Sequence, residues 1–492
     1  MAEIRPFRAY RYDTNRVALK DVLTQPYDKI TPEMQERYYA ASPYNLIAIE
    51  KGRVRPTDSA ASPASAVSAS STASAAQAAA AAAPADNVYT RAAAKLNEWI
   101  AAKILVQDAT PSIYVYAQEY LVPGTHSRRT RIGFIALGRV EDYGAQIVFP
   151  HERTLSAPKA DRIELLRHTH VQTGQLFMLY DDSSRKIETW LEQIARTNTP
   201  VEMRDEFDVT HKLWPVADAD VIKRIEAAMA PQKLVIADGH HRYETALNFR
   251  NECRESSRKE SGTNDPQAAY EFAMMTFINT RSKGLTILPT HRLLRNLENF
   301  DFDRFRKSVA PYFDWYSYPF SDAEERAASY AEFRRDLEGA NHGRRGIGMY
   351  AGGSFSNPAP GAGAAPGAAG QAFYLFLLRR DVDLELLLPD LSEAQRGLDV
   401  VLLHRVILEK GLGITVEAVA AEKYVGYERE MDRAIAAVDG GEAQLACLLN
   451  PVRVEQVTEI ALGGGVLPQK STDFYPKLLS GETIYKVEGR VE

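Results

Sequence analysis

Apolar runs of strand length alternate with helical spacings along most of the 492-residue chain. Leu234-Val235-Ile236-Ala237 is a short apolar run of strand type, and Asp238-Gly239 is a turn signal. Tyr243, Ala246 and Leu247 then recur at helical spacing, predicting a helix over 240–252. Upstream, Ile113–Tyr120 and Arg131–Val140 read as paired strands around the turn Pro123-Gly124. Short strands are expected at Ile147–Phe149, Leu176–Tyr180 and Phe272–Ile278. Helices are expected at Lys159–His168, Ala217–Ala228, Asp301–Ser308, Ala323–Leu337 and Leu398–Lys410. This mixture defines an α/β (mixed α+β) chain.

Two segments break the pattern. Residues 57–86 are almost all Ala, Ser, Thr and Pro, with no large apolar group to pack, and read as a disordered surface insertion. Residues 352–371 are rich in Gly, Ala and Pro and read as a flexible loop between the strand-like runs Gly346–Ala351 and Ala372–Leu378. The organisation expected is an N-terminal α/β region (1–140), a central core (141–290) and a C-terminal α/β region (291–492).

Composition narrows the class. Hydrophobic content of 45% and charged content of 25% describe a soluble globular protein. The net charge of −6 gives no reason to expect nucleic acid or anionic membrane as partner. The two cysteines, Cys253 and Cys447, make neither a disulfide framework nor a Cys-rich zinc site, which suits a reducing cytoplasm. No signal core and no run of about 18 apolar residues appears, so no membrane span is expected.

Asp238-Gly239-His240-His241-Arg242 is the strongest chemical signal. A helix N-terminus presents free backbone N–H groups and positive dipole density, which makes it an anion site. Arg242 forks onto phosphoryl oxygens in this reading, one histidine contacts phosphate, and Asp238 orients a histidine or holds a metal. A second strand-end loop, Pro150 to Arg162, carries His151, Glu152, Arg153, Ser156, Lys159 and Arg162. Here Glu152 is the candidate general base and Arg153, Lys159 and Arg162 are candidate phosphate partners. A solvated charged loop capped by Ser156 accounts for the same composition. Weaker pocket candidates are Asp28 and Asn45 in the Pro-Tyr-Asp and Pro-Tyr-Asn turns, His291 and Arg292 after Pro289-Thr290, and Lys470 and Ser471. Thr290 as a helix cap is an alternative for its segment. Gly464 to Ser471 nearly matches a P-loop, but Gln469 replaces the required glycine and no helix follows. No G-x-G-x-x-G follows a strand, and no H-E-x-x-H occurs. His240, His241 and Glu244 come from one turn and converge poorly on zinc.

The ordered words PFRAYRYD, QPYDKIT, SPYNLI, FPHERTLSAPKADR, TGQLFMLY, ADGHHRYETAL, ILPTHRLL and KSTDFYPKLLSG resemble a prokaryotic family catalogued as domain of unknown function 1015. More distantly, residues 145–250 are similar to the ParB/sulfiredoxin superfamily, whose free serine kinases carry the same Asp-Gly-His-His-Arg word. That resemblance implies phosphate contacts at Gly239, His240, His241 and Arg242, and Glu152 as base. It implies ATP or ADP as cofactor, with CTP as in ParB proteins, and Mg²⁺. Sulfiredoxin's catalytic cysteine is absent from the turn, and ParB's basic DNA-binding region is not evident.

The function expected is a nucleotide-dependent phosphotransferase acting on a small hydroxyl compound such as serine, with Glu152, His240 and Asp238 catalytic. A non-catalytic or slow nucleotide-binding switch, compatible with a homodimer, is the alternative. A phosphoester hydrolase is the third reading.

Overall fold

The computed structural model describes residues 1–56, 58, 86–152, 157–298, 300–340, 343–351 and 372–491. The loop read at 352–371 and most of the insertion read at 57–86 lie outside the described residues.

Strict alternation of buried side chains builds the first sheet. In the strand Leu176–Tyr180, Phe177 and Leu179 join one core while Leu176, Met178 and Tyr180 join another on the opposite face. Phe272–Asn279 divides the same way, with Met274 and Ile278 on one side and Met275 and Phe277 on the other. Each such fully buried side chain contributes about 1.5–3 kcal/mol. Nine strands form this sheet. Leu234–Asp238 runs parallel to Val148–Phe149 and antiparallel to Leu176–Tyr180. Leu176–Tyr180 runs parallel to Phe272–Asn279, and the remaining pairs are antiparallel. The helices Lys186–Thr197 and Ala219–Met229 cover one face through Ile187, Leu191, Ile222, Ile225 and Met229. Asp218 caps the second of these helices through the N–H groups of Asp220 and Val221.

The strands Ile113–Leu121 and Arg128–Arg139 pair as a hairpin inside this sheet. A boundary at 140 therefore cuts through a hydrogen-bonded sheet. The passage near 290 does separate two sheets. His291–Leu294 begins a six-stranded, wholly antiparallel second sheet. Gly346–Ala351 and Ala372–Leu378 are antiparallel neighbours within it. Thr290 caps no helix, because strands lie on both sides of it. The helix expected at 398–410 begins as Asp399–Leu402 and widens into a π-helix over Leu403–Gly411. One hydrophobic core joins the two halves, with Phe177 and Val235 of the first sheet packed in the same cluster as Met349 and Leu445 of the second.

Candidate functional site

Parallel pairing of Leu234–Asp238 with Val148–Phe149 brings the carboxyl ends of both strands to one edge. The loops that follow, His151-Glu152 and Asp238-Gly239, therefore emerge side by side, where open α/β sheets place ligands. Gly239 stands at φ +93, a conformation that favours glycine, and lets the chain turn directly into the helix His240–Ser261. Tyr243 fixes the helix start: its N–H donates to the Gly239 carbonyl at 2.9 Å and its hydroxyl to Glu141 O at 2.7 Å.

The turn opens onto a cavity of about 430 Å³. Asp28, Lys29, Glu152, Asp238, Arg242 and Lys477 supply its polar lining, with Thr290, Glu422, Glu428, Arg429, Lys470, Thr472 and Asp473 completing the wall. Asp238 and Asp473 are bridged by Lys477, whose Nζ lies 3.0 Å from Asp473 and 3.8 Å from Asp238. Arg429 Nε adds a contact to Asp473 at 3.3 Å. Arg242 donates to Gln175 O at 2.5 Å and to Asp238 Oδ2 at 3.4 Å. Burial works to raise the Asp238 carboxyl, but the charges of Lys477, Arg242 and Lys29 outweigh it and hold the group well below the usual carboxylate range. Asp473 is lowered in the same way against its own burial, chiefly by Lys477 and Arg429.

Glu152 is anchored from the second half of the chain. It forms a parallel bridge with Leu467, and its Oε1 accepts from the Lys470 N–H at 3.1 Å. The neighbouring His151 is buried, with Nδ1 2.5 Å from Ile236 O and Nε2 2.8 Å from Thr472 Oγ1. A carbonyl only accepts, so Nδ1 carries the proton and Nε2 accepts from the threonine. His240 Nε2 accepts from the His151 N–H at 3.2 Å. Burial, together with the neighbouring His151, pushes the His240 imidazole well below its ordinary value. Its Nε2 lone pair is thus spent on the backbone. His240, expected among the catalytic residues, is here a neutral ring whose Nε2 fixes the His151 loop.

Asp28, Glu152, Asp238, Gly239, His240, His241, Arg242 and Lys470 share this cavity. Four other expected pocket residues do not line it. Asn45 is buried as a turn cap, its amide donating to Asp21 O at 2.8 Å and its Oδ1 accepting from the Ile47 N–H at 2.9 Å. His291 is buried with Nδ1 accepting from the Leu449 N–H at 3.1 Å. Arg292 is buried beneath the wall and donates to the carbonyls of Gln469 and Lys470, each at 3.2 Å. Ser471 donates to Pro468 O at 2.5 Å. Arg162 lines a smaller cavity of about 60 Å³ that Arg242 also borders, and it donates to Glu50 O at 2.9 Å. Arg153 lies outside the described residues, as does the side chain of Lys159. Sequence reasoning missed Lys29, although the adjacent Tyr27-Asp28 was a signal. It also missed Glu422, Tyr427, Glu428 and Arg429, which no motif marked. Among the described residues no three His, Cys, Asp or Glu side chains converge on a metal position.

One mixed sheet, one antiparallel sheet and a charged cavity at strand ends define a mixed α/β protein. The chain belongs to the DUF1015 family, a family of proteins of unknown function, whose model matches residues 4–360. The segment KSTDFYPKLLSG lies beyond that match. No curated protein matches the chain. Among solved structures, a conserved hypothetical protein from Pyrococcus furiosus is similar at a TM-score of 0.31 and 12% identity, covering 70% of this chain and 92% of that one. A free serine kinase in complex with AMP is similar at a TM-score of 0.31 and 12% identity, over 70% of this chain and 88% of that one. A variant of free serine kinase in complex with ADP gives 0.31 and 11%, over 70% and 89%. Overlap at this level leaves the chemistry of the site to its own residues.

Proposed function

We propose that the cavity binds a nucleotide, ATP or ADP, by its phosphates and transfers a phosphoryl group to a small hydroxyl compound, with serine as a candidate acceptor. One observation carries the reading. The N-terminus of the helix His240–Ser261 and the Glu152 carboxylate border the same cavity, together with Lys29, Arg242, Arg429, Lys470 and Lys477. The volume falls in the range of small-molecule sites. Phosphoryl transfer asks mainly for positioning and charge neutralisation. In this scheme the acceptor hydroxyl gives its proton to Glu152 while its oxygen attacks the terminal phosphorus. The bond from that phosphorus to the bridging oxygen breaks, and the shortened nucleotide leaves with the electron pair. Asp238 stays ionised and keeps Lys477 and Arg242 in place. Magnesium commonly takes one or two carboxylates plus substrate phosphates. Asp28 and Glu428 could serve it, and the ion would offset phosphate charge.

Binding is tested by calorimetry and thermal shift with ATP, ADP and CTP, since a ligand bound only by the native state raises the melting temperature. Turnover is then measured with serine and other hydroxyl compounds. Glu152→Gln is expected to lower turnover by about 100-fold or more while nucleotide affinity is kept. Unchanged turnover in that variant removes Glu152 as base, and a wild-type protein that binds no nucleotide removes the reading altogether.

A further inference from the structure

We infer that Lys29 is the side chain that receives the anion in this cavity, and that the ligand it takes carries a phosphate or diphosphate group. The inference rests on the reading above only in taking the ligand to be a phosphate-bearing anion.

The cavity cations differ in how they are held. Arg242 is committed to Asp238 and Gln175 O, Lys477 to Asp473 and Asp238, and Arg429 to Asp473. Lys29 and Lys470 line the same cavity with no carboxylate within 4.0 Å among the described residues. Lys470 is exposed. Lys29 is half-buried, close enough to Lys477 to feel its charge. Burial first, and Lys477 second, lower its ammonium below the ordinary lysine range, against Asp473, Asp28 and Asp238. A desolvated ammonium beside another ammonium is costly to hold without a partner. An arriving phosphate removes that cost, whereas Arg242 would have to loosen its own contacts first.

The cavity wall as a whole is not cationic, with five lysine and arginine side chains against six carboxylates, so the anion site is local to Lys29, where Arg242, Arg429 and Lys477 already satisfy Asp238 and Asp473. Asp28, next to Lys29 in the chain, is exposed and acts through solvent. The segment carrying Lys29 is also fixed in advance. Lys51 Nζ donates to Ile30 O at 2.7 Å and to Tyr27 O at 3.3 Å, the Lys29 N–H donates to Pro26 O at 2.8 Å, and Arg162 lies 4.3 Å from the Tyr27 ring centre. Preorganisation of this kind lowers the cost of binding.

The test compares wild type, Lys29→Gln, Lys29→Arg and Arg242→Lys in full-length protein, with ATP and inorganic pyrophosphate as probes and adenosine as the uncharged control. Lys29→Gln is expected to weaken both anions by about 10- to 100-fold. It should leave the melting temperature of the unliganded protein unchanged or higher, because a repulsion with Lys477 is removed. Lys29→Arg should restore most of the affinity, and Arg242→Lys should weaken the anions less than Lys29→Gln does. Tight ATP binding that Lys29→Gln leaves intact overturns the inference while the nucleotide reading stands. Pyrophosphate binding that depends on Lys29, without any gain from the nucleoside, keeps the inference and removes the nucleotide. A lower unliganded melting temperature in both Lys29 variants assigns the residue a structural role and overturns the inference.

Discussion

Replacing Gly239 with alanine disturbs the turn at two separable points. A φ of +93 lies outside the regions open to L-residues, and a side chain there costs about 1–2 kcal/mol. The new Cβ would also stand 3.1 Å from Arg242 Nε and 3.2 Å from its Cζ and Nη2. That guanidinium is the one holding Gln175 O at 2.5 Å and Asp238 at 3.4 Å, so it moves only by stretching those contacts. A weakened charge-assisted hydrogen bond adds about 1–2 kcal/mol. The sum expected for Gly239→Ala is about 2–4 kcal/mol of lost stability. In an Arg242→Met background only the backbone part remains, about 1–2 kcal/mol. Urea midpoints of the four proteins at neutral pH, followed by circular dichroism, complete the cycle. Equal losses in both backgrounds would show that Arg242 does not press on the turn. A loss under about 0.5 kcal/mol in the wild-type background would refute the conformational argument itself.

Lys477→Met leaves Asp238 and Asp473 facing each other without the bridging ammonium, and is expected to cost about 3–5 kcal/mol, read from the same denaturation midpoints. Restoring stability by Lys477→Met with Asp473→Asn would confirm that unpaired charge is the cause. Asp399 makes a pH prediction. Burial pushes its carboxyl up to about 7 against Arg345, the Gly346 backbone and Arg453. An unfolded aspartate titrates near 3.9. Between these values the unfolded chain gives up the proton while the folded chain keeps it, so stability falls as pH rises from about 4 to about 7. Asp399→Asn should therefore gain on the order of 4 kcal/mol at pH 8 and little at pH 4. A pH-independent difference between the two proteins sinks the assignment.

Elements with unambiguous periodicity were legible in the sequence. Leu234–Ala237 followed by Asp-Gly could be little other than a strand and turn, and the helix from His240 runs on to Ser261. The placement of Gly239 and Arg242 at the cavity was legible because a turn and a fork donor each carry a local physical signature. The role of His240 was not, because its Nε2 is spent on a residue 89 positions away. Asn45 and His291 looked like site chemistry for the same reason: polar residues beside Pro-rich turns also serve as internal caps, and only tertiary burial distinguishes the two. The boundary at 140 failed because strand pairing between 128–139 and 272–277 is non-local and leaves no mark on either segment alone.

The cavity also explains why the second half of the chain cannot be a passive appendage. Glu428 and Arg429 close the wall from the edge strand Val425–Glu428 of the second sheet. Arg292, buried in the neighbouring strand, holds the Gln469 and Lys470 carbonyls, and the Lys470 N–H in turn holds Glu152 Oε1. The proposed base therefore hangs on the first sheet but takes its orientation from the second. Arg292 supports that orientation by donating to the Thr290, Gln469 and Lys470 carbonyls at once, while Lys477 separately ties Asp238 to Asp473. The proposed catalytic geometry depends on the docking of the two halves as directly as on the turn at Gly239. A loosening of their shared core should lower turnover before it lowers the melting of either sheet.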